Sequence, residues 1–341
     1  MKKLKIGVIG AGSIAKHRHL PEYAANKEVE IAAICDINEE RAKSIAKKFN
    51  IEKVLTDYRD LLQEDLDAVS VCTPNYLHAP ISIAALEAGI HVLCEKPIAT
   101  SAEEADQMIE AANKSGKVLM IGHNQRFVEA HVKAKQMVAS GKLGKVFSFR
   151  TAFGHPGPEA WSADGADSWF FRKEEAFIGA MGDLGVHKTD LIRYILGEEI
   201  IEVAAMIETS SKLKADVDDN AVCLLKTENG IIGTLAASWS YNGKEDNSTV
   251  IYTEKAVLRL EDDEEFSVIT HFKNGTTEKL KLAQIQSNED GGQSSSGVID
   301  HFIECVQTGR QPLISGEEGK KSLLVILGAI QSHTTKKIVK L

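Results

Sequence analysis

One group of residues in this chain has the types and spacing that bind a dinucleotide. Gly10-Ala11-Gly12-Ser13-Ile14-Ala15 follows the predicted strand Lys5–Gly10 and opens a predicted helix. The first glycine permits a tight turn, the second lets the backbone approach a pyrophosphate, and Ala15 allows close helix–sheet packing. Backbone N–H groups at the start of that helix attract the diphosphate. The alternative is a glycine turn in some other α/β protein.

The residue that selects the cofactor is expected to be Asp36, at the end of the second predicted strand. It lies about 20 residues after the glycine motif, the spacing of the acid that binds the adenosine ribose. Its carboxylate can accept hydrogen bonds from ribose hydroxyls but would repel a 2′-phosphate, and Ile37 follows it instead of Ser or Arg. NAD is therefore expected rather than NADP. Arg41 is interpreted either as covering the adenine or as a solvated helix residue.

A second group follows two later strands. Thr73-Pro74-Asn75 and His78 come after the strand Ala68–Cys72, and Glu95-Lys96-Pro97 comes after His91–Cys94. Ligands of open α/β sheets bind at the carboxyl ends of such strands. Taken alone, a lysine before proline at a strand end is more often a solvated loop charge.

Further along, Asp183 and His187 are four residues apart in a predicted helix and so share one face. A histidine in such a pair can exchange a proton near neutral pH. The alternatives are a surface pair or a helix cap formed by Asp183. His17 and His19, near the glycine motif, are interpreted as ordinary helix residues, and His155 has no assigned role.

The elements that must position these residues alternate in the first 122 residues between short apolar runs and amphipathic stretches. The runs are nearly continuous in Val, Ile and Leu, which is typical of a parallel sheet covered on both faces. Pro80 and Gly89 bound one helix, and Ser101 to Glu104 reads as a capping box for the next. The pattern predicts a doubly wound Rossmann sheet. The predicted strands are Lys5–Gly10, Glu30–Cys35, Ala68–Cys72, His91–Cys94 and Val118–Ile121.

Residues 123–341 have a different pattern and are predicted to form a second, α+β domain. The expected elements are a helix at Glu129–Ser140, a strand at Val146–Phe153, a helix at Asp183–Leu196, and two closing helices at Val298–Thr308 and Glu317–Lys337. Between them, Asn229-Gly230, Asn242-Gly243 and Asn274-Gly275 are hairpin signals. They predict a large, mostly antiparallel open sheet. Asn288–Gly297 is expected to be a surface loop.

Composition narrows the class of protein. The 341 residues carry 40 Lys and Arg against 49 Asp and Glu, a net charge of −9 with no basic block. Nucleic-acid and membrane-surface partners are therefore not expected. No apolar stretch approaches the length of a signal sequence or membrane span. The five cysteines form no CxxC pair, which favours reduced thiols, a cytoplasmic location and no metal site.

Four motifs together resemble the glucose-fructose oxidoreductase/inositol dehydrogenase/rhizopine-catabolism (Gfo/Idh/MocA) family. They are GAGSIA, TPNYLH, AALEAGIHVLCEKPIAT and GDLGVHKTD, between residues 4 and 197. The resemblance implies an NAD-dependent oxidoreductase that transfers a hydride between the nicotinamide and a secondary alcohol of a sugar, inositol or related polyol. Many relatives place three glycines several residues before the Asp, whereas this chain reads FIGAMGD, so a different start to the helix is expected.

The family's catalytic residues match Lys96, Asp183 and His187. The resemblance implies that His187 takes the hydroxyl proton, that Lys96 stabilises charge on the substrate oxygen, and that Asp183 orients the histidine or binds a neighbouring hydroxyl. Either Lys96 or His187 can be the formal base. The expected cofactor contacts are Gly10, Gly12, Ser13, Ile14, Asp36, Arg41, Thr73, Pro74, Asn75, His78, Glu95 and Lys96.

Substrate contacts are expected from two further segments. Asn124 and Arg126 follow the last Rossmann strand and can bind hydroxyls or a carboxylate, or else fix the joint between domains. Trp161, Trp169 and Arg172 lie in one loop-rich stretch, where aromatic rings beside polar groups suit a sugar or cyclitol, or else cover a core. The resemblance also implies a homodimer or homotetramer, with the exposed face of the second sheet as its interface.

The sequence leaves two other functions open. One is a redox-assisted glycoside hydrolase or lyase, in which NAD oxidises a sugar carbon only transiently and is then regenerated. The other is a non-catalytic NAD-binding regulator, which would not require Lys96, Asp183 and His187.

Overall fold

The computed structural model describes residues 3–212, 214–283 and 296–341 and divides into two compact units. The first comprises Met1–Asn124, Glu159–Trp169 and Gln286–Lys320, and the second Gln125–Pro158, Phe170–Ile285 and Lys321–Leu341. Two segments from later in the chain therefore belong to the first unit. That residue 122 separates two domains remains a prediction.

The strands of the described residues fall into two sheets. In chain order they are β1 (Leu4–Ile9), β2 (Val29–Cys35), β3 (Lys53–Leu55), β4 (Ala68–Val71), β5 (His91–Cys94), β6 (Leu119–Ile121), β7 (Val146–Gly154), β8 (Ile200–Glu208), β9 (Asn220–Thr227), β10 (Ile232–Ser238), β11 (Thr249–Thr253), β12 (Ala256–Leu260), β13 (Val268–Phe272), β14 (Thr277–Leu280) and β15 (Val339–Lys340).

The helices of the described residues lie between and after these strands. They are α1 (Leu20–Ala25), α2 (Glu39–Phe49), α3 (Tyr58–Leu61), α4 (His78–Glu87), α5 (Ala102–Ser115), α6 (Glu129–Ala139), α7 (Lys173–Ala176), α8 (Val186–Leu196), α9 (Val298–Thr308) and α10 (Gly316–Thr335). Wider π-helical turns, Ala15–His19 and Met181–Gly185, run directly into α1 and α8. None of the described helices is both long and apolar enough to cross a membrane.

The first unit contains a parallel six-stranded sheet in the order β3-β2-β1-β4-β5-β6. The predicted Rossmann arrangement is confirmed, and each of the five predicted strands is present to within one residue at either end. The prediction missed β3, because its three residues at the sheet edge are too short to show a pattern.

Helix boundaries in this unit follow the predicted local chemistry. Ser101 Oγ accepts the N–H of Glu104, and Gly89 has the positive φ of +79° expected after α4. The Ser101 cap and the glycine stop are therefore confirmed, but the box is not reciprocal, because the Glu104 carboxylate accepts the N–H of Thr100 instead of that of Ser101.

The second unit contains a nine-stranded sheet in the order β14-β13-β12-β11-β7-β10-β9-β8-β15. Among the described strands of this sheet only β7 and β10 pair in parallel, so the predicted mostly antiparallel sheet is confirmed. Hairpins occur as predicted at Asn229-Gly230 and Asn274-Gly275. The prediction for Asn242-Gly243 is wrong, because β10 and β11 pair with opposite sides of β7 and not with each other. Most of the predicted loop Asn288–Gly297 lies outside the described residues.

All five cysteines are buried and unpaired. Cys35, Cys94 and Cys223 lie in strands, and burial raises the pKa of each of the five thiols. They therefore act as small apolar side chains in the packing.

Candidate active site

The glycine turn lies where the motif places it, between β1 and the helical turn that begins at Ala15. Gly10 has φ +93°, and a Cβ there would lie 2.4 Å from the carbonyl oxygen of Cys72, so no other residue fits. A Cβ on Gly12 would meet no atom within 4 Å. The backbone at Gly12 therefore borders open space that a side chain would fill, which suits a closely approaching diphosphate.

Asp36 follows β2 and is buried. Its Oδ2 accepts the N–H of Ala11 at 2.8 Å, which ties the glycine turn to the end of β2. Arg41, from the first turn of α2, donates to both carboxylate oxygens at 3.2 and 3.0 Å. In this structure Arg41 is thus the bidentate partner of Asp36 and not a solvated helix residue.

The carboxyl edge of the sheet brings the Thr73-Pro74-Asn75 and Glu95-Lys96-Pro97 motifs together, because β4 and β5 are parallel neighbours. The His78 ring lies between them, with Nδ1 2.7 Å from the Pro97 carbonyl oxygen and Nε2 3.0 Å from that of Thr73. Burial lowers the pKa of His78. The ring thus connects the two motifs, and a cofactor contact by His78 remains a prediction.

A network of buried polar side chains is connected to the backbone of Lys96. Glu95 accepts the N–H of Lys96 at 3.3 Å, and its other oxygen lies 2.8 Å from His19 Nε2 and 3.4 Å from Arg18 Nη1. Burial alone would raise the pKa of Glu95, but the charges of Arg18, His19 and Lys96 lower it to about 2. Glu95 is therefore an anion that fixes the backbone at Lys96.

His19 extends this network into the core. Its Nδ1 lies 3.0 Å from Ser70 Oγ, which is 2.8 Å from the Tyr23 hydroxyl. His19 lies in a helical turn, as predicted, but the prediction missed that its side chain is completely buried in this network. The spacing in the sequence indicates this burial, because Ala15, His19 and Tyr23 are four residues apart and form one buried face.

Asp183 and His187 lie one turn apart in the second unit, on the continuous Met181–Leu196 helix, and both are buried. Asp183 does not cap that helix, because the helix starts two residues earlier. Its Oδ2 accepts the indole N–H of the fully buried Trp239 at 3.2 Å. The His187 ring packs against Phe153 with centroids 5.8 Å apart. The Asp183 carboxylate thus accepts a hydrogen bond from a neutral donor, and the His187 imidazole lies against the Phe153 ring.

The start of this helix is fixed by Asp218. Its carboxylate accepts the N–H groups of Gly179 and Met181 at 2.7 and 2.9 Å, and burial raises its pKa to about 6. A Cβ on Gly179 would lie 1.9 Å from the Asp218 carbonyl oxygen. Gly179 therefore allows a close approach of the backbone in the FIGAMGD segment. That this helix starts differently from that of its relatives remains a prediction.

Two family profiles match the chain on this fold. Residues 4–123 match "Oxidoreductase family, NAD-binding Rossmann fold", and residues 131–259 match "GFO/IDH/MocA C-terminal domain". The chain belongs to the Gfo/Idh/MocA family. The parallel sheet with its glycine turn is thus the NAD-binding Rossmann fold of this family.

Similar proteins match between 72% and 100% of the chain. It is 32% identical over 277 residues to levoglucosan dehydrogenase of Pseudarthrobacter phenanthrenivorans, covering 72% of this chain and 70% of that protein. It is 29% identical over 343 residues to myo-inositol 2-dehydrogenase of Thermotoga maritima, covering 99% and 98%. A levoglucosan dehydrogenase structure in complex with NADH and L-sorbose superposes with a TM-score of 0.87 at 27% identity, covering 100% and 99%.

The remaining residues that were predicted to contact the substrate differ in their burial and in their partners. Arg126 is buried and forms a bidentate pair with Asp190 at 2.8 and 2.7 Å, which explains its burial without a substrate. Arg172 is exposed and pairs with Glu175. Trp161 and Trp169 belong to the first unit and Arg172 to the second, so the loop that joins them is divided. Substrate contacts by these residues and by the buried Asn124 remain predictions.

Three functional candidates were missed from the sequence besides His19. Trp239, Asp218 and Phe153 hold or line the Asp183–His187 helix through contacts with other parts of the fold. Asp218 lies in an Asp-Asp pair before a strand, and Trp239 follows a strand. Neither position indicates these contacts from the local sequence.

Proposed function

We propose that this chain is an NAD-dependent dehydrogenase that oxidises a secondary alcohol of a sugar, inositol or related polyol to a ketone. Membership of the Gfo/Idh/MocA family supports an oxidoreductase, and the similar proteins named above are dehydrogenases of levoglucosan and of myo-inositol. The observation that carries the proposal is the buried Asp183 carboxylate, held by Trp239 one helical turn before His187. A buried carboxylate and a buried imidazole on one helix face support a role in proton transfer, which a sensor would not need.

The described residues fit NAD. The open space at Gly12 would receive the diphosphate, and the Asp36 carboxylate would accept the ribose hydroxyls. Asp36 also supports NAD over NADP, since an anion at this position repels a 2′-phosphate. When bound, NAD supplies the hydride acceptor.

The chain's own side chains handle the proton and the oxygen. The His187 imidazole takes the hydroxyl proton, because an imidazole exchanges protons near neutral pH. The Lys96 ammonium hydrogen-bonds the same oxygen and stabilises the negative charge that develops while the carbon loses its hydride. Asp183 orients His187 or binds a neighbouring hydroxyl. Alcohol thus becomes ketone, with two electrons and one proton leaving as hydride and the second proton going to His187.

The proposal is tested by absorbance at 340 nm with NAD and a panel of aldoses, polyols and inositols. A dehydrogenase gives NADH in proportion to substrate. Product formation without net NADH would instead indicate redox-assisted glycoside cleavage, and no turnover of any sugar would indicate a regulator.

Lys96→Ala is the matching variant. We expect NAD binding close to that of the wild type, measured by calorimetry, and turnover at least about a hundredfold lower. Lys43→Ala, an exposed lysine on α2 that pairs with Glu39 and Glu40, is the control and should retain full turnover. Equal turnover in Lys96→Ala would remove Lys96 from the mechanism.

We also propose a homo-oligomer formed through the outer face of the second sheet. Met206, Val222, Leu224 and Ile232 are all more than half exposed, at 78%, 55%, 61% and 59%. Val222 and Leu224 alternate with the buried residues of β9, and Met206 is the cross-strand partner of Val222. A second copy of the chain would cover this apolar face.

A further inference from the structure

The segment Glu159–Trp169 of the first unit lies against the predicted dinucleotide site, although it is distant from that site in sequence. Two contacts attach it. Ser13 Oγ, in the glycine motif, donates to the Trp161 carbonyl oxygen at 2.5 Å, and Arg41 Nη1 donates to Asp164 Oδ1 at 2.8 Å. The segment thus reaches both the phosphate end and the ribose end of the site.

Arg41 is shared between two carboxylates. Its Nε and Nη2 donate to Asp36, and its Nη1 donates to Asp164, so each guanidinium nitrogen has an acidic partner. The Asp36 side chain is 7% exposed, whereas that of Asp164 is 46% exposed. The group therefore has two negative charges and one positive charge, with Asp164 on the solvent side.

In this arrangement the Asp36 carboxylate has few hydrogen-bond acceptor positions left for a ligand. Its two oxygens already accept four donors, from Ala11, Asn38 and twice from Arg41. A carboxylate offers about four acceptor positions. Ribose hydroxyls can therefore bind Asp36 only where they replace Arg41, and the guanidinium must then have another partner.

We propose that Asp164 is a specificity-determining residue for NAD, acting by retaining Arg41. This inference rests on the dinucleotide-binding function proposed above. When ribose hydroxyls bind Asp36, Arg41 stays paired with Asp164. An Arg41 without that partner is a ready ligand for a 2′-phosphate, because guanidinium binds phosphate in a bidentate manner. Asp164 therefore keeps Arg41, the one cation of this group, from binding the 2′-phosphate of NADP. It also adds a second negative charge that repels this phosphate.

The test is Asp164→Asn, a substitution at an exposed side chain that removes the charge and retains the shape. Binding of NADH and NADPH is measured by calorimetry, without any substrate. We expect NADH affinity within about twofold of the wild type, and NADPH affinity about tenfold higher, the size expected of one charge-assisted hydrogen bond. Glu40→Gln makes the same change in net charge beside Arg41, where Glu40 pairs with Lys43 instead, and should leave the ratio unchanged.

A second variant separates the route through Arg41 from a general electrostatic effect. In an Arg41→Ala background, Asp164→Asn should no longer raise NADPH affinity. An unchanged NADPH-to-NADH affinity ratio in Asp164→Asn, or an equal rise with Arg41 absent, would overturn the inference while leaving NAD binding itself intact. Failure of the wild type to bind either dinucleotide would overturn the proposed function as well.

Discussion

The indole N–H of Trp239 donates to the Asp183 carboxylate across 56 residues of sequence, at 3.2 Å. Phe170 and Phe171 pack edge-on against this indole, so Trp239 is itself fixed in place. The hydrogen bond restrains the carboxylate of Asp183, which lies one turn before His187 on the same helix. Asp183 is thus positioned by a residue that no local pattern connects to it.

Replacement of Trp239 tests this positioning. Trp239→Phe removes the donor, and we expect kcat to fall about tenfold with little change in KM, because a hydrogen bond to a charged group contributes about 1.5–3 kcal/mol. Phe171→Leu is the control, since it trims the same aromatic cluster but retains the N–H. Equal losses in both variants would show that packing, and not the hydrogen bond, accounts for the effect.

Substitution of Gly12 separates cofactor binding from folding. Gly12→Ala should change the free energy of unfolding by less than about 0.5 kcal/mol, because the added Cβ meets nothing. It should weaken NAD binding at least about tenfold, since that space is where the diphosphate would lie.

Gly10→Ala is the comparison for this experiment. Its Cβ would collide with the Cys72 carbonyl oxygen at a positive φ, so it should destabilise the fold. Wild-type NAD affinity in Gly12→Ala would place the diphosphate elsewhere.

Acid should weaken the network around Glu95. Its folded pKa of about 2 lies below the ordinary 4.5, so its contribution to stability is complete above about pH 5 and is lost as the pH falls through 4.5 toward 2. The difference in unfolding free energy between wild type and Glu95→Gln should shrink by about 1 kcal/mol by pH 4. Urea denaturation at several pH values measures it. Glu103→Gln, at an exposed position on α5 outside this network, is the control for the loss of one carboxylate.

Local sequence predicted the parts of the site that local chemistry determines. The glycine turn must follow β1 because only glycine fits at Gly10, and Lys96 must follow β5 because the strand ends there. His19 was predictable in principle from its spacing with Ala15 and Tyr23. The partners Trp239 and Asp218 were not, because they meet the Asp183 helix only through the sheet of the second unit.

The same reasoning explains the errors in the fold. Asn242-Gly243 has the composition of a hairpin turn, but β7 takes the place between β10 and β11, and strand order is a property of the whole sheet. The segment with Trp161 and Trp169 reads as one continuous loop with Arg172, and only tertiary contacts divide it.

The pairing of Arg126 with Asp190 predicts a structural effect. Arg126→Met leaves a buried carboxylate without its bidentate partner, so the free energy of unfolding should fall by about 3 kcal/mol. Arg172→Met, which breaks an exposed pair with Glu175, should cost less than about 1 kcal/mol. A higher KM with unchanged stability in Arg126→Met would instead support the substrate contact.

The apolar outer face of the second sheet predicts that the chain assembles through it. Leu224→Glu places a charge at the centre of the apolar face formed with Met206, Val222 and Ile232, so an assembly that buries this face should dissociate. Light scattering of the wild type should give a multiple of the 37.2 kDa chain mass, and the variant should give a single chain. Ile37→Glu is the control, because Ile37 is 88% exposed but lies in the first unit, and its mass should equal that of the wild type. A wild type that is already monomeric, or a variant that retains the full mass, would exclude this face as the interface.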